Sequence, residues 1–278
     1  MFLDSVFLRV LRGLTWHRKY FRDGVDASSF GEHLGAIEAD WPVFDTAGTT
    51  ELTLETLSGP QQAAVSIRNW RGLDAPTLIW HHGGGEYPYT STFDDVYPEP
   101  TNVPANLILV RAPGHDRLGG VQSVGRTLQG YLAMIAVSVT LTERLCQAIA
   151  GRTVVAGYSL GGFVTGRHHT VYDTADAYVP MMAGTAHAEI FLTTVPAASA
   201  AVERPDHLRE RLNFTDDWRN RSHAHVHPVL GLYDCLNRYE VQSRSYLTVD
   251  PTVWLVGHLT GLGATESIRG ALDDVLLV

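Results

Sequence analysis

The chain has 278 residues, of which 45% are hydrophobic and 18% are charged, and its formal net charge is −9. This composition is typical of a globular protein with a large core and excludes an intrinsically disordered chain. The acidic balance also argues against nucleic-acid binding, which requires a basic surface. Two cysteines, Cys146 and Cys235, match neither a disulfide framework nor a metal-binding spacing. We therefore expect two reduced thiols in a cytoplasmic protein. No apolar run is long enough to cross a bilayer, so no integral membrane segment is expected.

The first 48 residues differ in pattern from the rest of the chain. Apolar residues recur there at the spacing of an amphipathic helix, namely Leu3, Phe7, Val10, Leu11 and Leu14. Such a helix packs on its own domain, on a second copy in a homo-oligomer, or on a membrane surface, and the sequence leaves these alternatives open. We therefore predict an N-terminal amphipathic helix and extension over 1–48 and a single main domain over 49–278.

From residue 49 onward, short apolar runs alternate with helical stretches. Two runs, 49–56 and 62–70, alternate apolar and polar residues, which is typical of half-exposed antiparallel strands. Six runs are continuously apolar, as in strands covered on both faces; they are 76–82, 105–112, 152–158, 176–182, 227–233 and 251–257. Helices are predicted over 128–150, from 163 to 169, and over 264–277. This alternation predicts an α/β protein with a mostly parallel sheet and helices on both of its faces.

One strand-to-helix connection contains a serine between glycines. The sequence GYSLGG at 157–162 follows an apolar run and precedes a predicted helix. A turn this sharp strains the backbone of Ser159 and exposes its hydroxyl, while Gly157 and Gly161 allow the strand and helix to approach closely. Leu160 begins the helix, so its N–H has no intrahelical acceptor and can donate to an oxyanion. The pattern predicts that Ser159 is a nucleophile; a purely structural turn is the alternative.

A glycine-rich stretch, HHGGG, occupies residues 81–85 at the end of another apolar run. Such loops bind phosphate when Lys-Ser or Lys-Thr follows the glycines, but Glu86 and Tyr87 follow here. The alternative is that the N–H of Gly84 or Gly85 supplies a second donor to the same oxyanion. His82 is then expected to hold the loop in shape and not to act as a base.

These motifs resemble those of the α/β-hydrolase family, in particular its esterase- and lipase-like members. The resemblance rests on HHGGG at 81–85, APGHDR at 112–117, GYSLGG at 157–162 and the last histidine, in LVGH at 255–258. It implies the α/β-hydrolase fold over roughly residues 50–278, with a short cap-like insertion over about 187–223. It also implies a serine–acid–histidine triad in that chain order. We expect no cofactor.

Position relative to the strands selects the acid and the base. Functional groups of a parallel sheet lie beyond the carboxyl ends of its strands. His258 follows the last apolar run and Asp234 follows the run before it, so both are expected at the same edge as Ser159. Asp250 precedes its strand and belongs to the opposite edge. Glu189 stays open as an alternative acid, because some family members draw their acid from the earlier strand.

Other histidines fit a catalytic role less well. His168 and His169 lie about ten residues along the helix that follows Ser159. His223, His225 and His227 alternate as in a strand, which is a pattern that binds metals, but no matching carboxylate or cysteine spacing accompanies them. We therefore predict that these three residues lie at the surface and that the protein has no metal site.

The connection at 86–100 is unusually aromatic and acidic, and connections of this length are often functional. Tyr87, Tyr89 and Phe93 are predicted to line an acyl or alcohol pocket, with simple loop packing as the alternative. Together with the resemblance, these features predict a carboxylesterase-like serine hydrolase that acts on a small-molecule acyl ester through an acyl-enzyme. A thioesterase, an amidase, an acyltransferase and a non-catalytic binding protein of the same fold stay open as alternatives.

Overall fold

The structure, a computed structural model, describes residues 19–278. The amphipathic helix predicted near the N-terminus lies outside the described residues. Within residues 19–278, no helix combines the length and the apolar character needed to cross a bilayer.

The strands of the described part form one eight-stranded sheet. They are β1 (Gly48–Leu54), β2 (Gln61–Asn69), β3 (Thr77–His81), β4 (Asn106–Arg111), β5 (Thr153–Tyr158), β6 (Ala177–Met181), β7 (Val229–Gly231) and β8 (Thr252–Trp254). Their order in the sheet is β1-β2-β4-β3-β5-β6-β7-β8. Strand β2 runs antiparallel to β1 and β4, and all other pairs are parallel. The predicted mostly parallel sheet is therefore confirmed.

The helices of the described part, in chain order, are α1 (Phe30–Gly35), α2 (Ser91–Val96), α3 (Gly120–Val124), α4 (Leu128–Ala148), α5 (Leu160–Val171), α6 (Ala188–Thr193), α7 (Ser199–Val202), α8 (Pro205–Leu212), α9 (Thr215–Arg219), α10 (Tyr239–Gln242), α11 (His258–Leu262) and α12 (Thr265–Leu276). Helices α4, α5 and α12 correspond to the three predicted from the sequence. The Thr127 hydroxyl begins α4 by accepting the N–H of Gly130 at 3.0 Å, which satisfies a free donor of its first turn.

Helices cover both faces of the sheet, as predicted. Successive residues of a strand point to opposite faces. Leu78 and Trp80 of β3 therefore pack in the core cluster that contains the apolar residues of α2 and α12. Ile79, between them in sequence, packs in the cluster that contains residues of α4 and α5. The continuous apolar runs of the central strands thus supply two cores.

The last strand differs from its prediction. The run 251–257 was expected to be covered on both faces, but only Thr252–Trp254 forms β8, and it is the edge strand of the sheet. Val253 is 38% exposed and Leu255 is 73% exposed, because no further strand pairs beyond β8 in the described chain. The short strand lets the chain turn at Gly257 into α11, whose first residue is His258.

The segment between β6 and β7 contains the four short helices α6 to α9. It is anchored by apolar side chains, since Phe191, Leu208 and Leu212 pack in one cluster with Leu132 and Ile135 of α4. The cap-like insertion predicted over about 187–223 occupies this place in the chain. Its packing against α4 brings the segment beside the carboxyl ends of the central strands.

Candidate active site

The turn between β5 and α5 holds Ser159 in a strained backbone conformation, with φ 56° and ψ −110°. Positive φ is rare for a residue with a side chain. The Ser159 N–H donates to the carbonyl oxygen of Met181 at 2.9 Å, which fixes the turn on β6. A Cβ added at Gly161 would lie 2.1 Å from the carbonyl oxygen of His81, and one at Gly157 would lie 2.5 Å from the Gly161 carbonyl. Only glycine fits these positions, as the sequence predicts.

The structure brings together the three side chains predicted as the triad. His258 Nε2 lies 2.9 Å from Ser159 Oγ, and His258 Nδ1 lies 2.7 Å from Asp234 Oδ2. Asp234 accepts hydrogen bonds, so Nδ1 of the neutral imidazole carries the proton and donates it. Nε2 is then unprotonated and accepts the hydroxyl hydrogen of Ser159. The geometry is that of a nucleophile, a base and an orienting acid.

Local hydrogen bonds hold the acid and the base in place. Asp234 Oδ1 accepts the N–H groups of Leu236 and Asn237 at 2.7 and 2.8 Å, and only 1% of the Asp234 side chain is exposed. The carbonyl of His258 accepts the hydroxyl of Tyr158 at 2.6 Å. Because Tyr158 directly precedes the serine, this bond ties the helix that carries the imidazole to the turn that carries the hydroxyl.

The alternative acid, Glu189, lies elsewhere. Its carboxylate forms an ion pair with Arg209, with 2.7 Å between Oε1 and Nε. Glu189 belongs to α6 in the insertion, whereas Asp234 follows β7 at the edge of the sheet where Ser159 lies. The structure therefore selects Asp234 as the partner of His258.

The glycine-rich loop packs directly on the serine turn. A Cβ added at Gly84 would lie 3.4 Å from the Leu160 Cβ, so this backbone contacts the residue after the serine. The N–H of Gly83 donates to the Glu86 carboxylate at 2.9 Å. The N–H groups of Gly84 and Gly85 are therefore the candidates on this loop for binding an oxyanion, as predicted, together with that of Leu160.

Two buried histidines support this loop. His82 Nε2 accepts the N–H of Ala112 at 3.1 Å, so Nδ1 carries the proton and donates to the Gly83 carbonyl at 2.9 Å. Burial holds the pKa of His82 well below its ordinary value, which keeps the imidazole neutral. His82 thus has the structural role expected from the sequence.

His115 was not singled out by the sequence, although it lies in the APGHDR stretch. Its Nε2 lies 3.0 Å from the Gly84 carbonyl, the shorter of its two contacts with carbonyl oxygens. A trans peptide directs its C=O and N–H to opposite sides. A Gly84 carbonyl held by His115 therefore turns the N–H of Gly85 away from His115.

A cavity of about 440 Å³ opens above Ser159 and His258. Most of its wall is apolar or aromatic, including Tyr20, Val121, Tyr131, Leu160, Phe163, Ile190, Phe191, Val195, Leu236, Leu259 and Leu262. His187 also lines the wall, stacked on Phe163 with 4.0 Å between ring centres and with Nε2 2.8 Å from the Tyr131 hydroxyl. Sequence reasoning missed Tyr20, Tyr131 and His187, because only the packing of α4, the insertion and residues near 20 brings them together.

The predicted pocket residues are only partly at this cavity. Tyr87 lines it and is 53% exposed. Phe93 does not line it, because residues 91–96 form helix α2 and its ring is buried against Trp80. Tyr89 also lies away from the cavity and packs on His82, 5.8 Å between ring centres. For Phe93 and Tyr89 the alternative of loop packing is correct.

Comparison with known proteins gives structural matches alone: no protein-family model and no curated protein matches the sequence. Est1E from Butyrivibrio proteoclasticus superposes with a TM-score of 0.55 at 16% identity, covering 84% of this chain and 100% of that one. Acetyl xylan esterase 1 from a Thermoanaerobacterium species gives 0.51 at 13% identity, covering 92% and 96%. The acylaminoacyl peptidase of Pyrococcus horikoshii gives 0.54 at 13% identity, covering 82% of this chain and 41% of that one.

This chain has the α/β-hydrolase fold. The sheet order and the structural matches agree with the resemblance seen in the sequence. At these identities the similarity establishes the fold of this chain and not its reaction, which has to be argued from its own site.

Proposed function

We propose that this α/β-hydrolase is a serine hydrolase that cleaves carboxylic esters through an acyl-enzyme on Ser159. One observation carries the proposal: the hydrogen-bonded series Ser159–His258–Asp234 ends at an apolar cavity, which the glycine loop also lines with Gly84 and Gly85. A serine in an ordinary turn requires neither a strained backbone nor a buried aspartate behind its histidine partner.

The reaction follows from the hydrogen-bond directions. His258 Nε2 removes the hydroxyl proton as Ser159 Oγ attacks the ester carbonyl. The N–H of Leu160 and that of Gly84 or Gly85 bind the resulting oxyanion, and Asp234 stabilises the imidazolium. His258 then gives its proton to the leaving alkoxide, which departs as the alcohol. Water, deprotonated by the same histidine, then attacks the acyl-enzyme. The bond between the acyl carbon and Ser159 Oγ breaks, Oγ takes the proton back from His258, and the acid is released.

The apolar wall of the cavity favours a substrate whose acyl or alcohol group is apolar and binds deepest. Burial of hydrocarbon surface against this wall contributes about 25 cal/mol of binding free energy per Å². One of the structural matches carries the name of an acetyl xylan esterase and another that of an acylaminoacyl peptidase. Thioesters and amides are attacked by the same groups, so the leaving group is the property that the test has to resolve.

The test combines covalent labelling with turnover. A fluorophosphonate probe is expected to label Ser159, mapped by peptide mass spectrometry, and to leave Ser159→Ala unlabelled. p-Nitrophenyl esters of increasing acyl length are expected to be hydrolysed up to the length that fills the cavity. A folded protein that takes no label contradicts the proposal. Labelling without turnover of any ester moves the assignment to amide hydrolysis or acyl transfer.

A further inference from the structure

A second group of polar side chains lies at the other end of α5. His169 belongs to the last turn of this helix, Asp173 follows its end, and His225 lies in the connection that leads to β7. Asp173 Oδ1 lies 2.8 Å from His169 Nδ1 and 2.8 Å from His225 Nε2. The three ligand atoms all lie within 4.8 Å of one another.

The backbone holds these side chains in place from two directions. His169 and Asp173 are four residues apart, and Asp173 has a φ of 57°, which turns the chain back after the helix ends. On the other side, the carbonyl of His225 accepts the N–H of Tyr178 at 3.0 Å. Since Tyr178 belongs to β6, the loop that carries His225 is fixed to the sheet.

A further histidine orients the buried member of the group. His169 Nε2 lies 3.0 Å from His223 Nδ1, and the His223 ring stacks on Trp218 with 4.4 Å between centres. Histidines that bind metals are usually oriented in this way, by a hydrogen bond from the ring nitrogen that does not bind. His169 is fully buried, whereas the side chains of Asp173 and His225 are 22% and 29% exposed. The group therefore has a rigid inner side and an outer side that an ion and water can reach.

We propose that His169 Nδ1, Asp173 Oδ1 and His225 Nε2 bind a divalent transition metal, with Zn²⁺ the best match. Two imidazoles and one carboxylate are ligands that Zn²⁺ prefers, whereas Ca²⁺ and Mg²⁺ prefer oxygen ligands throughout. Water completes a tetrahedral site. Ligand bonds of about 2.0–2.2 Å put tetrahedral donors about 3.4 Å apart, so the two 2.8 Å pairs open by about half an ångström on binding.

This proposal replaces the expectation that the chain has no metal site. Sequence reasoning grouped His223, His225 and His227 and found no carboxylate nearby. In the structure these three histidines have different surroundings. His227 is exposed, His223 contacts His169, and His225 contacts the carboxylate of Asp173, about fifty residues earlier in the chain. Spacing along the sequence therefore did not reveal the group of His169, Asp173 and His225, because its members come together only in the fold.

The metal acts on the fold and not on the ester. Helix α5 has 12 residues, so at 1.5 Å per residue about 18 Å separates its two ends. One end follows Ser159, and the other end meets the connection that leads to β7 and then to Asp234. A metal at this point links the helix of the nucleophile to the strand that precedes the acid.

The experiment measures metal binding on the whole chain after treatment with a chelator. Metal analysis after Zn²⁺ addition is expected to give one ion per chain. A Zn²⁺ concentration a hundred times the Kd is expected to raise Tm by about 5 °C. Co²⁺, used as a spectroscopic probe, is expected to give the visible absorption of a four-coordinate site. No bound ion and no rise in Tm for the folded wild-type protein would overturn the proposal.

Three variants locate the site. His225→Ala and Asp173→Asn are expected to lose the Co²⁺ absorption and the rise in Tm; asparagine tolerates the positive φ at 173, so the second variant keeps the backbone. His227→Ala removes an exposed histidine two residues from His225 and is the matched control, with wild-type binding expected. Retention of the Co²⁺ band by both His225→Ala and Asp173→Asn means that the ion binds elsewhere, and the proposal fails. The absorption is read independently of stability, so a destabilised variant still gives a result.

Discussion

Two aspartate–histidine pairs lie at opposite ends of helix α5. In both pairs the aspartate faces Nδ1 of the imidazole, and the pairs differ in the partner of Nε2. At the start of the helix, His258 has Asp234 at Nδ1 and the Ser159 hydroxyl at Nε2. At its end, His169 has Asp173 at Nδ1 and a second imidazole, that of His223, at Nε2. In the proposed reaction the first arrangement activates a hydroxyl, and in the proposed metal site the second holds a ligand in a fixed orientation.

The aspartates also differ in how their oxygens are used. Asp234 is buried, with one oxygen on His258 and the other on two backbone N–H groups. Asp173 is partly exposed and directs one oxygen at two imidazoles. A buried carboxylate with both oxygens in hydrogen bonds is suited to orient a base. A carboxylate near the surface, with one oxygen close to two imidazoles, is suited to bind an ion together with them. The roles proposed for the two aspartate–histidine pairs therefore differ because the pairs differ in burial and in their third partner.

The largest expected effect is that of Ser159→Ala. Because the nucleophile is lost, kcat/KM for a p-nitrophenyl ester is expected to fall by about 10⁴- to 10⁶-fold. The rise in Tm with Zn²⁺ is expected to be unchanged, since the metal group lies at the other end of the helix. Ester turnover near the wild-type rate in this variant would mean that the reaction occurs elsewhere.

The next variant tests the two aspartates against each other. Asp234→Asn is expected to lower kcat by about 10³- to 10⁴-fold, because the amide no longer favours the imidazole tautomer with its proton on Nδ1. It is expected to keep the Tm response to Zn²⁺, which Asp173→Asn loses. Asp250→Asn, an exposed residue near His258 in sequence, is the control for activity. Equal activity of the Asp234 and Asp250 variants would reject the predicted acid.

A smaller loss is expected for His115→Ala, since this residue positions the Gly84 peptide and does not touch the substrate. A displaced donor is expected to lower kcat by about 10- to 100-fold with KM nearly unchanged. His115→Gln retains an N–H donor and is expected to recover part of kcat. If KM rises while kcat is constant, or if glutamine gives no recovery, the positioning role is incorrect.

The smallest effect concerns His187, in the cavity wall near the start of α5. Burial lowers the pKa of His187 to about 3, against about 6.5 in the unfolded chain. Between these values the unfolded chain binds about one more proton at this site, so the free energy of unfolding falls as the pH is lowered from about 6.5 towards 3. His187→Gln is expected to lower the number of protons taken up on unfolding by about one at the acidic end of this range. The slope of the free energy of unfolding against pH, measured by urea unfolding from pH 7 to pH 5, gives this number. An unchanged slope would show that His187 is not kept neutral in the folded protein.

The eight strands, the three long helices and the turn at Ser159 could be predicted from the sequence, because each of them depends on a local pattern. Apolar runs specify buried strands, and Gly157 and Gly161 are required by contacts within a few residues of the serine or with the neighbouring strand. The edge rule for parallel sheets also selected Asp234 and His258, because strand direction decides which ends of the strands meet.

Which distant residues lie on the same surface could not be predicted from the sequence, because this depends on how the whole chain packs. The cavity wall contains residues from three separate parts of the chain, namely Tyr20, Tyr131 and His187. Phe93 was predicted to line the pocket, but its ring is buried in the core beside Trp80. His115 reaches Gly84, and Asp173 meets His225, across tens of residues. The periodicity of a sequence shows which face of a helix or strand is apolar. The packing of the whole chain determines which other segment covers that face.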